Sequence, residues 1–96
     1  MAKHTAVRID IPCDVHQIDE TGYVWTFLDN AREPSVITPG AIVISADEED
    51  PVLARVIDHV PEGRGTIVHL EILPGDPLDY ADALARAHIA RANRVA

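Results

Sequence analysis

Chemistry in this chain begins with Cys13-Asp14-Val15-His16, a thiol and an imidazole three residues apart. That is the spacing of a metal half-site, and a thiolate with an imidazole suits zinc. A closed structural site needs four ligands. The other donors are His59, His69 and Glu71, which would have to converge from a later hairpin. Read as nucleophile and base, Cys13 and His16 lack a recognisable oxyanion hole or orienting group. Ser35 and Ser45 lack the setting of a nucleophile elbow, and no glycine-rich loop is shaped to cradle phosphate. The sequence therefore supplies no catalytic set and implies no cofactor.

Two further groups could make contacts. Tyr23, Trp25 and Phe27 alternate, so in a strand they share one face. They could clasp a partner, but aromatics dominate small cores, and burial is the expectation for them. Asp47-Glu48-Glu49-Asp50 lacks the alternate spacing and central glycine of a calcium loop, so it reads as a solvated hairpin tip. With Tyr23 and Trp25, these four acids are the candidate partner-binding residues.

Charge narrows the partner. The 96 residues carry a net charge of −8, and all of that imbalance lies before residue 76. Nucleic-acid binders gain most of their affinity by neutralising phosphates, so no nucleic acid is expected. A protein partner, basic or a second copy of the chain, fits better. The single cysteine excludes an internal disulfide and fits a reducing compartment. The first residues lack the apolar core of a signal peptide, and no stretch has the length of a membrane span. A cytoplasmic location, away from membranes, is the expectation. The excess of arginine over lysine fits a bacterial source.

The elements that must position these groups follow from period and punctuation. Val7-Arg8-Ile9-Asp10-Ile11 alternates and reads as a strand ended by Pro12. Tyr23 to Leu28 is a second strand, and Asp29 to Pro39 a loop. Thr38-Pro39-Gly40 suits a turn with glycine at positive φ. Strands over 41–46, 52–60 and 66–73 follow, separated by charged or glycine-containing turns. Pairing Val60 with Val68 gathers Ala54, Val56, Asp58, Val60, Val68, Leu70 and Ile72 on one face, Asp58 being the exception placed at a rim. The same register sets His59 opposite His69. Asp76 is a fitting N-cap and Pro77 a fitting first helical residue. Ala81, Leu84, Ala85, His88, Ile89 and Ala92 then form an apolar helical stripe. The expected fold is one mainly β domain: an SH3-like barrel or curled antiparallel meander of about five strands over 1–75, covered by a C-terminal helix over 76–96.

Gly22-Tyr23-Val24-Trp25, Leu28-Asp29, Arg32-Glu33, Pro39 and Val43-Ile44-Ser45 with Asp47 resemble the opening of MazF/PemK-type toxins. The resemblance covers about a quarter of the chain. It implies an SH3-like barrel and, by extension, an RNA endonuclease neutralised by an antitoxin. Thr38 stands where that family has an arginine before the proline, and its later Pro-Ile-Thr type segment has no counterpart here. The residues together favour a small acidic, non-catalytic binding domain that contacts a protein partner. A toxin-type RNA endonuclease and a metal-binding protein using Cys13 and His16 are the alternatives.

Overall fold

A computed structural model describes residues 8–48 and 50–80. It is a mainly β chain in which five strands form one mixed sheet, curled into a half-barrel, with a short helical turn on the C-terminal side. The strands are β1 (Ile11–Pro12), β2 (Val24–Phe27), β3 (Ile42–Asp47), β4 (Asp50–Glu62) and β5 (Gly65–Leu73). Their order across the sheet is β1-β3-β4-β5-β2.

Local chemistry sets the meander β3-β4-β5. Gly40, at φ 89°, follows Pro39, and the Ala41 amide donates to the Thr38 carbonyl at 2.9 Å, the turn that this tripeptide predicts. Asp47 then pairs with Asp50. Glu62 pairs with Gly65 across a two-residue loop that begins with Gly63 at φ 59°. The strands run longer than their apolar stretches, because paired β4 and β5 continue through Pro61 and Glu62 to the tip.

The N-terminal strand departs from its expected form. β1 is two residues long, includes Pro12, and runs parallel to β3 rather than extending an antiparallel meander. Just before this late start Asp10 is tied to Ile44 twice, its amide donating to the Ile44 carbonyl at 2.7 Å and its carboxylate receiving the Ile44 amide at 2.8 Å. Pro12, without an N–H, is tolerated in an edge strand.

Curling brings the two edges of the sheet together. Thr26 Oγ1 on β2 donates to the Pro12 carbonyl on β1 at 3.2 Å. Ser45, wholly buried, donates to the Ile11 carbonyl. The chain leaving β1 crosses to the far side of β2, where the Trp25 amide donates to the Gln17 carbonyl at 3.0 Å and Ile18 bridges Val24. One segment, residues 11–19, thus lies along both edges and closes the curl.

Inside sit Ile11, Val24, Ile37, Val43, Ala54, Val56, Val68 and Leu70, a core without an aromatic ring. On the outer face a smaller patch of Ile44, Ala46 and Leu53 is also buried. The chain after β5 turns over this patch: a Cβ at Gly75 would lie 3.2 Å from Leu53 Cδ1, and the Tyr80 hydroxyl donates to the Ile42 carbonyl at 3.4 Å. The helix starts as its cap predicts, with Asp76 Oδ1 accepting the Leu78 amide at 2.9 Å and residues 77–80 helical. The expected stripe from Ala81 to Ala92 lies outside the described residues, as does Val7 of the expected N-terminal strand, while Arg8 to Asp10 are described and are not strand. Among the described residues no helix is long and apolar enough to cross a membrane.

Two substitutions separate closure from core. Thr26→Val removes the edge-to-edge hydrogen bond and should lower unfolding free energy by about 1–2 kcal/mol. Leu70→Ala empties a core position and should cost about 2–5 kcal/mol. Urea denaturation measures both, and a Thr26→Val protein as stable as the parent would show that this bond does not hold the edges.

Candidate functional site

The expected pairing of the last hairpin needs correction, and the correction creates the site. Val56 faces Leu70, but the next pair is Asp58 with His69, so Ile57 is an extra residue in β4. Such a bulge moves every later side chain to the opposite face. Asp58 therefore leaves the core side that the sequence pattern assigns to it and joins His69 outside. His59 moves to the face of Val68 and, while still exposed, sets its Nε2 2.6 Å from the Ile37 carbonyl. The two histidines do not face each other.

His69 is not a solvated surface residue. Its side chain is 8% exposed, with Nδ1 2.7 Å from Asp58 Oδ1 and Nε2 2.7 Å from Asp19 Oδ2. Ionised carboxylates only accept, so both ring nitrogens must donate and the ring is an imidazolium. The Asp19 hydrogen bond, more than any other contact, raises the His69 pKa above its ordinary 6.5; Asp58 adds to this and burial opposes it. Asp19 also accepts from the Thr21 hydroxyl and amide, and with His69 these hold its carboxyl at about 2. Asp19 belongs to the segment that lines β2 and Asp58 to the bulge. The ring therefore ties the closing segment to the central hairpin.

Around this ion group lie the aromatics. Trp25 pairs with His69, and Phe27 with Ile67, on the face opposite Val24 and Thr26. The expectation that Tyr23, Trp25 and Phe27 fill the core is not met: Tyr23 and Trp25 are half-buried and Phe27 is 42% exposed. Aliphatic and β-branched residues fill the interior instead. Trp25 and Phe27 meet edge to face at 5.5 Å between ring centroids, and Tyr23 tilts toward His69 at 6.3 Å. The outer face over β2, β5 and the far half of β4 thus presents an aromatic strip beside an Asp-His-Asp group. Arg55 also lies there, 3.6 Å from Glu71.

The other candidates sit at the opposite edge. Cys13, Asp14, His16, Asp47, Glu48 and Asp50 line an open cleft of about 400 Å³ where β1 leaves β3. Within it Asp14, His16 and Asp47 bring one ligand atom each to within 4.8 Å of one another. The expected set of Cys13 and His16 with His59 and His69 does not assemble, since the last two are held on the far hairpin by the contacts above. Burial, more than any other cause, raises the Cys13 pKa, and Asp47 and Asp14 add to it against a lowering from Ser45; the group stays a thiol at neutral pH. Asp14 and Asp47 already accept main-chain amides from His16 and Val15, and His16 is almost wholly exposed. Glu48 occupies the hairpin tip at φ 59°, and Glu49 lies outside the described residues. Sequence reasoning named His69 and Trp25 but missed Asp19 and Asp58. The signal for Asp58 was its misfit in an otherwise apolar face.

Comparison with protein families, curated proteins and solved structures yields no match.

The ion group makes stability depend on pH in both directions. At pH values below 6.5 the contribution of His69 is fully present. As pH rises beyond 6.5 the unfolded chain sheds this proton first, so stability falls until the native ring deprotonates. Asp19 acts oppositely, and its contribution is lost as pH drops from 3.8 through about 2. Urea unfolding followed against pH should show a decline above 6.5 that His69→Gln removes. A decline that survives the substitution would mean that another group sets it.

Proposed function

We propose that this chain is an acidic, non-catalytic binding domain whose outer face takes a basic protein partner. The observation that carries this reading is the aromatic strip outside the core. Leaving Phe27 and Trp25 partly in water forfeits apolar burial that a small domain could use, and exposed aromatics are what protein interfaces enrich. Charge supports the basic partner. The described residues hold 14 acidic side chains against four arginines, one of them engaged with Glu71. Such a surface attracts and steers cations. A second copy of the same chain would meet its own negative charge on this face, so a different protein is the better occupant. The half-barrel serves as an SH3-like scaffold would, with strands holding a recognition face rigid.

Affinity capture from the source organism, with RNA incubated in parallel, tests the proposal. The parent protein should retain a basic protein that high salt releases and that Trp25→Ala fails to hold. Retention equal in the two proteins would place binding elsewhere. RNA cleavage abolished by Arg32→Ala would replace the reading with the toxin-type nuclease that residues 22–47 resemble.

A further inference from the structure

Resting on the protein-binding reading above, we propose that the row Trp25–His69–Asp58 seats an arginine of the partner. Its aliphatic stem lies along Trp25 and its guanidinium meets Asp58.

The row crosses three neighbouring strands, since Trp25 pairs with His69 and His69 with Asp58. Adjacent strands lie about 4.8 Å apart, so the indole and the carboxylate stand on backbones about 10 Å apart. Between them His69 is sunk into the face, with Asp58 on one ring nitrogen and Asp19 on the other. An extended arginine can bridge that interval.

The carboxylate is prepared for a cation. His69 Nδ1 holds Asp58 Oδ1, and no described residue donates to the other oxygen, while half of the side chain is open to solvent. Its orientation is thus fixed before a partner arrives, which reduces the ordering cost of binding. The imidazolium offsets only one of its two carboxylates, so the group as a whole stays negative. The nearest arginine on this face, Arg55, is engaged by Glu71. A guanidinium suits the row better than an ammonium because it offers paired N–H donors to a carboxylate.

A second row adds direction. Phe27, Ile67 and Val60 are matched across the same three strands on the same face. This row lies two residues along each strand, about 7 Å from the first. A partner strand laid along the sheet would place an arginine on one row and an apolar side chain two residues away on the other. The recognised element is therefore an arginine, any residue, then a large apolar residue, in extended form.

Trp25 is the sole tryptophan of the chain, so its fluorescence reports on the seat directly. The experiment titrates the full chain with a synthetic peptide carrying that spacing, a citrulline analogue and a lysine analogue. The arginine peptide should shift Trp25 emission, and citrulline should weaken binding by about tenfold or more. Lysine should weaken it by about threefold to fivefold. Asp58→Asn should reduce affinity for the arginine peptide by about fivefold or more. Equal affinity for the arginine and citrulline peptides overturns the proposal, and because that comparison uses the unaltered protein, no folding defect can mimic it. Lysine binding as tightly as arginine overturns the guanidinium assignment. If the peptides fail while a captured basic protein still depends on Trp25, the arginine seat falls and the broader reading stands. If neither binds, both fall.

Discussion

The extra residue in β4 is the constraint on which the outer face depends. An unbroken ladder would point Asp58 into a core lined by Val56, Val68 and Leu70 and leave His69 outside without it. Burying that carboxylate among aliphatic side chains would cost several kcal/mol, or force it to take up a proton. Giving Ile57 no partner reverses the faces for the remainder of the strand. The same shift that removes a charge from the interior delivers it to an imidazole, and brings His59, still exposed, to the Ile37 carbonyl. Asp19 then completes the group on the same face, from beyond β2. One local irregularity thus satisfies two histidines and fixes the segment that closes the curl.

Punctuation and cap chemistry made much of the fold legible. Thr38-Pro39-Gly40, the loop around Gly63 and the Asp76-Pro77 pair act through nearest neighbours, and each forms as its residues dictate. The four later strands were legible too, because alternation and apolar runs are local properties, whereas the strand expected over 7–11 shrank to Ile11–Pro12. Pairing is not. The parallel contact of β1 with β3 depends on Asp10 finding an amide 34 residues later, and no periodicity encodes that. The bulge left one trace, a single misplaced Asp58, which an assumption of unbroken register placed at a rim. The aromatic strip was misjudged for a related reason. Alternation tells which residues share a face, but not whether that face looks inward, and here the alternate set of Val24 and Thr26 fills the interior.

A core built only from aliphatic and small residues suits so short a chain. Ile11, Ile37, Val56, Val68 and Leu70 are all fully buried inside the curl. The polar atoms enclosed with them are accounted for: Ser45 and Thr26 donate to the carbonyls of β1, and no buried side-chain polar atom among the described residues lacks a partner. The aromatics are thereby free for the surface, beside the acids. The cleft at the other edge differs in kind. There Asp14 and Asp47 each take a main-chain amide on one oxygen and the thiol is held protonated, but no tryptophan lines the cleft to pair with them.

The order of strands across the sheet has a consequence for how the chain reaches this state. β3, β4 and β5 pair with immediate successors through short turns, so their contacts form among residues close in sequence. β1 and β2 reach further: among the described residues β1 pairs with β3, and β2, besides its bridge to nearby Ile18, pairs with β5 40–46 residues further on. On a ribosome the first two strands emerge well before the distant partners they need, and Trp25 and Phe27 lack their β5 partners until Ile67 and His69 have been added. The three-strand meander is the natural first structure, and the N-terminal arm wraps it last, late contacts of this kind being the slow ones in small β proteins.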